Sequence, residues 1–200
     1  MLAGSDHVGL LRGRRPVPAQ RLTRGHSRWE GAVTIGRTLD SDPIEEARRQ
    51  WVSHGWENAA DGMAAVTSIV RAQQIVLQRI DTVLRPLDLT FARYEILTLL
   101  SFTRNGSLPM TKMGALLQVH PTSVTSAVDR LEGQGFVERV PHPTDRRAVL
   151  ASITEAGRAR ALAATTALNG QVFEQLGITE HQINQLRGVL RALRANAGDF

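Results

Sequence analysis

The stretch Pro121-Thr-Ser-Val-Thr-Ser-Ala-Val-Asp-Arg-Leu-Glu-Gly-Gln-Gly135-Phe-Val-Glu-Arg-Val-Pro-His-Pro-Thr-Asp-Arg-Arg147 decides how this chain is read. Its first part has a helical period. Val124, Val128 and Leu131 stand at i, i+4 and i+7 and share one buried stripe, which leaves Thr122, Ser123, Ser126, Asp129 and Arg130 facing outward. Pro121 suits the first turn of such a helix, and Gly135 suits its C-terminal cap, so the helix is expected over 121–134. The period then changes. Phe136–Val140 and Ala148–Ile153 are β-prone runs joined by a connection rich in turn formers and cations, the pattern of a β-hairpin wing.

Immediately upstream, Thr111–Leu117 reads as a short helix and 118–120 as a tight connection, which completes a helix-turn-helix pattern. Thr90 can cap a helix over Phe91–Ser101 whose Tyr94, Leu97 and Leu100 point to the core, and Asn105-Gly106 marks the following turn. Nearer the N-terminus, Ile44–Val52 reads as a short helix after Pro43, and Glu57–Leu84 as one long helix. In the long helix Val66, Ile69, Val70, Val76, Leu77, Ile80, Val83 and Leu84 recur at spacings of three and four, and Arg85-Pro86 ends it. Downstream, Thr154 to about Leu176 and Thr179 to about Ala195 read as two closing helices. The second is opened by a capping box of Thr179 and Gln182 and carries an apolar seam of Ile183, Leu186, Leu190 and Leu193.

Composition agrees with a mainly α fold carrying a small β-hairpin wing. Only 4% of the residues are aromatic, whereas sandwiches and barrels draw heavily on aromatic and β-branched residues. With no cysteine in the chain, disulfides, thiolate zinc sites and cysteine nucleophiles are excluded. No run of about 18 apolar residues occurs, and the chain is expected to be cytoplasmic with no membrane partner. Net charge is a weaker guide. Seven arginines fall within the first 40 residues against Asp6, Glu30 and Asp40, so nearly all of the formal net charge of +5 resides there. Residues 1–42, rich in Gly, Arg and Pro, are expected to form a flexible basic arm, and 43–200 a single domain.

The helix at 121–134 has the properties of a reading element. Thr122, Ser123, Thr125 and Ser126 put short hydroxyls near its N-terminus, where they can bond bases or phosphates, with His120 just before it and Arg130 further along. At the turn of the wing, Arg146 and Arg147 can reach a narrow, electronegative minor groove. A carboxylate beside phosphates would be repelled, so Asp145 is expected to hold one of these arginines in place.

In that order, these elements resemble the MarR family of winged helix-turn-helix regulators. The resemblance runs from roughly Ala64 to Leu193. It is sharpest at Pro121-Thr-Ser-Val-Thr-Ser-Ala-Val-Asp129-Arg-Leu-Glu, Gly135-Phe-Val-Glu-Arg139, Pro143-Thr-Asp-Arg-Arg147 and Ile153-Thr-Glu-Ala-Gly157. It implies a homodimer built from helices at 57–85 and 154–196, with 88–153 as the DNA-binding head. It also implies an inverted-repeat operator on double-stranded DNA, read by the helix in the major groove and by a wing arginine in the minor groove. Either Arg146 or Arg147 would enter that groove while the other pairs with Asp145. Ser126 stands where many members carry a larger polar or basic residue, a departure that bears on base preference and not on the docking mode. The resemblance further implies a repressor released by a small aromatic or phenolic effector, for which Arg71, Gln74 and Tyr94, with Trp51 and Trp56, are the candidate contacts.

Other classes fare less well. No Gly-rich phosphate loop, HExxH or nucleophile elbow is present, so no catalytic residues and no cofactor are expected. A metal-responsive regulator would need clustered ligands, but His7, His26, His54, His120, His142 and His181 are scattered and no metal site is expected. A winged helix that binds protein without reading DNA draws some support from the near-neutral charge beyond residue 40.

Overall fold

In the computed structural model, which describes residues 40–145 and 148–200, the chain enters through Asp42, whose carboxylate caps helix α1 (Pro43–Ser53) by accepting from the Ile44 amide at 2.9 Å. Most of the arm expected over 1–42 lies outside these residues. Helix α2 (Glu57–Leu84) turns back along α1, and the Arg48–Asp61 ion pair at 2.7 Å and the Trp51–Trp56 edge contact at 5.4 Å tie the two together. A 3-10 turn over Arg85–Leu87 carries Pro86, and Asp88 follows with a φ of 53° that redirects the chain. Thr90 then caps α3 (Phe91–Phe102).

The core forms where α3 crosses its neighbours. Ile80 and Leu84 of α2 join Tyr94, Ile96, Leu97 and Leu100 of α3. Beneath them lie Met113 of α4 (Met110–Leu117) and Val124, Val128 and Leu131 of α5 (Pro121–Gly133). The stripe expected on the helix at 121–134 is thus buried, and its hydroxyl face is left exposed. At the end of α5, Gly135 takes a φ of 73°, its amide bonds Glu132 O at 2.9 Å, and the Phe136 amide reaches back to Leu131 O at 2.9 Å. This pair of hydrogen bonds closes the helix and turns the chain into the wing.

The wing strands are β2 (Val137–Pro141), displaced by one residue from the expected run because Phe136 is taken up by the helix cap, and β3 (Val149–Ile153), which starts one residue later than expected and ends where expected. A third strand, β1 (Ser107–Pro109), was not expected. It pairs with the other side of β3, Leu108 opposite Ala151, giving the order β1-β3-β2. Three residues are too few to show a period of two, and Pro109 is tolerated there because an edge strand needs no donor on its outer side.

Helix α6 (Glu155–Leu168) begins at Thr154, whose hydroxyl accepts from the Gly157 amide and donates to Gly135 O at 2.8 Å, joining helix and wing. A Cβ at Gly157 would collide with Phe136 O, so glycine permits this close approach. The long helix expected to about Leu176 instead widens into a π turn over Asn169–Phe173, held by Arg79, which donates to Gln171 O and Gln175 O. Helix α7 (Glu180–Asn196) opens with the expected capping box of Thr179 and Gln182 and buries none of its residues. The α2 stripe is divided: its C-terminal end is core, while Val66 is 63% exposed, and on α7 Val189 is 66% exposed.

Candidate nucleic-acid interface

Helix α5 is anchored through its apolar stripe and leaves its polar face open. Thr122, Ser123, Ser126 and Arg130 are exposed, and among the described residues their side chains make no hydrogen bond or ion pair. Their donors are therefore available to a ligand. Thr125 differs, because its hydroxyl donates to Pro121 O at 3.1 Å within the helix. His120 is also engaged within the fold, since its Nδ1 accepts from the Thr122 amide at 3.3 Å and caps the helix.

Asp129, expected to face outward, is exposed and is held by Arg139 of β2. The same guanidinium reaches Glu132, so one cation bridges two carboxylates one turn apart on α5. The hydrogen bond it donates to Asp129 is the main reason the Arg139 guanidinium is pushed above its ordinary pKa. This clamp ties the reading helix to the wing strand. Its sequence signal was the i, i+3 pair Asp129 and Glu132 with a cation in the next element.

At the wing, His142 organises the turn. Its Nδ1 accepts from the amides of Thr144 at 3.3 Å and Asp145 at 3.1 Å, and its own amide bonds Ala148 O at 3.1 Å. Arg146 and Arg147, and with them the expected pairing to Asp145, lie outside the described residues.

Beside α5 runs an open cavity of about 880 Å³, lined on one side by Thr122, Ser123, Ser126, Asp129 and Arg130 and on the other by Asp88, Thr90 at the cap of α3, and Arg93 of α3. Arg93 donates through Nη1 to Gln134 Oε1 at 3.0 Å, while Gln134 Nε2 donates to Asp88 O and to Asp88 Oδ2, at 2.9 and 2.7 Å. Sequence reading passed over Arg93 and Gln134, which are 41 residues apart and share no periodic signal.

The remaining candidates fall elsewhere. Arg71 donates to Gln74 at 3.3 Å on the exposed side of α2, whereas Tyr94 is 7% exposed and its hydroxyl meets Thr165 Oγ1 at 3.3 Å. No hydrogen bond or ring contact among the described residues joins the two groups. Among those residues, too, no three His, Cys, Asp or Glu side chains come together as metal ligands, and no helix is long and apolar enough to cross a membrane.

Residues 89–149, which hold α3 through the start of β3, match the model of the MarR family. The fold is similar to a MarR family transcriptional regulator from Streptomyces coelicolor at 48% identity and a TM-score of 0.64, covering 70% of this chain and 97% of that one. It is also similar to a mutant of MarR from E. coli complexed with operator DNA, at 25% identity and a TM-score of 0.61, covering 68% and 96%. CouR from Rhodococcus jostii bound to p-coumaroyl-CoA is 27% identical with a TM-score of 0.55, covering 62% and 87%. In sequence, the multiple antibiotic resistance protein MarR of Escherichia coli is 36% identical over 76 residues, 38% of this chain and 51% of that protein. The chain spans about half the length of the curated relatives it matches. The helix-turn-helix, the wing and the near-complete coverage of the Streptomyces regulator together show that this chain belongs to the MarR family of transcriptional regulators.

Proposed function

We propose that this chain is a cytoplasmic, homodimeric repressor that binds an inverted-repeat operator and lets go of it when a small aromatic or phenolic ligand binds. The observation that carries this reading is the open polar face of α5, where Thr122, Ser123, Ser126 and Arg130 are exposed while Val124, Val128 and Leu131 fix the helix from beneath. A helix with this division can enter a major groove and offer donors to base edges and phosphates. One of Arg146 and Arg147 extends the contact into the flanking minor groove, while Asp145 holds the other. The operator complex of the E. coli relative supports DNA binding by this fold.

Dimerisation is supported by apolar surface that one chain leaves open. Val66, Ile69 and Val70 of α2 and Leu186, Val189 and Leu193 of α7 are all exposed, and contiguous apolar faces of this kind mark an interface. The p-coumaroyl-CoA complex of the Rhodococcus relative supports an aromatic ligand. Arg71, Gln74 and Tyr94, divided between α2 and α3, would meet such a ligand where the dimer helices join the head, and it would act by its different affinity for the bound and free arrangements of the two heads.

Selection from a random-sequence duplex library with the purified chain tests this function. The expected product is an inverted repeat with half-sites about 10 bp apart, or a multiple of that. Enrichment of no sequence, with capture of a protein partner instead, would replace it with the protein-interaction reading.

A further inference from the structure

The cavity along α5 has two walls, and only one of them belongs to the helix-turn-helix. An α-helix with its side chains is about 10–12 Å across, close to the roughly 12 Å width of a major groove, so a helix seated there has phosphate rows against both flanks. One flank of α5 is occupied by the wing strand through Arg139. On the cavity side the wall facing α5 carries Thr90 and Arg93.

We propose that this cavity seats a phosphate of the DNA backbone, and that Arg93, assisted by Thr90, is a DNA contact supplied by α3 from outside the helix-turn-helix. The inference rests on the DNA-binding reading above. Its physical basis is the way the guanidinium is held. Nε donates to Thr90 Oγ1 at 3.3 Å and Nη1 to Gln134 Oε1 at 3.0 Å, while Nη2 makes no hydrogen bond among the described residues. Gln134 cannot turn its amide the other way without giving up both bonds from Nε2 to Asp88. The arginine is therefore fixed before a ligand arrives, which lowers the ordering cost of contact. Two carboxylates line the cavity as well: Asp129 is paired with Arg139, and Asp88 accepts from the Gln134 amide. Arg93 and Arg130, with the hydroxyls of Thr122, Ser123 and Ser126, then give the cavity a donor-rich lining suited to phosphate oxygens.

Fluorescence anisotropy on the selected duplex, repeated over a salt series, tests the assignment. Removing one phosphate contact should reduce the slope of log affinity against log salt by about 0.9, so Arg93→Ala in a dimer should reduce it by about 1.8. Affinity should fall about tenfold per contact, and so about a hundredfold for the dimer. Arg93→Lys, which keeps the charge, should retain the slope, and Gln134→Ala should weaken binding with the slope intact. Arg93→Ala with an unchanged slope, beside a wild type that binds with a steep one, overturns the phosphate contact and leaves the DNA reading standing. A wild type whose affinity ignores salt overturns both.

Discussion

At position 139 the chain places one guanidinium between Asp129 and Glu132, and removing it would leave two carboxylates on the reading helix without their cation. All three groups are partly exposed, so the ion pairs themselves contribute little to stability, about 1 kcal/mol or less. The larger consequence is electrostatic: Arg139→Gln should weaken DNA binding severalfold while thermal unfolding shifts by only a few degrees. Calorimetry and anisotropy on the same preparation check the pair of outcomes. Glu95 of α3 offers a test in the opposite sense. Its carboxyl is half-buried, and desolvation raises its pKa above the ordinary carboxylate value. The folded chain therefore holds this proton at pH values where the unfolded chain has released it, so stability falls as pH rises through that window. Glu95→Gln should raise the melting temperature at pH 7 and lessen the loss between weakly acidic and neutral pH. An unchanged melting temperature at both pH values would contradict the desolvation argument.

The elements that sequence made legible are those whose signal is periodic or punctuated. The α5 stripe, the Gly135 turn, the Pro86 stop and the Thr179–Gln182 box each follow from residues within a few positions of one another. What stayed hidden depends on distant partners. β1 is a strand only because β3 lies beside it, the π turn at Asn169–Phe173 is held by Arg79 from α2, and the Arg93–Gln134 bond joins α3 to the end of α5. Thr125 was legible as a hydroxyl near the helix start, but nothing in its spacing said that it would donate to Pro121 O. Two substitutions probe how the elements are locked. Leu131→Ala removes a fully buried side chain beneath α5 and should cost about 2–5 kcal/mol in denaturant unfolding, with DNA affinity falling as the helix loosens. Gly157→Ala sets a methyl against Phe136 O where wing and α6 meet. It should destabilise despite the better helix propensity of alanine, and a gain in melting temperature would show that this junction yields.

For the whole molecule, the described chain divides its work between a packed head and an open pair of apolar faces. The core joins the head to the C-terminal end of α2 and to α6, while α7 buries nothing and the N-terminal half of α2 is largely exposed. A charge placed at Val66 or Leu193 should therefore convert a dimer into a monomer in sedimentation velocity, leaving the helical content of the head intact. Such a variant should also lose affinity for the full operator more than for a single half-site. Whether α5 and the wing arginines read duplex DNA is decided by anisotropy of the selected duplex with the wild type and with Arg146→Ala combined with Arg147→Ala. Tight, salt-sensitive binding by the wild type is predicted, with a marked loss of affinity and a shallower salt slope in the double variant; equal binding by the two, or binding indifferent to salt, would contradict DNA readout by these groups.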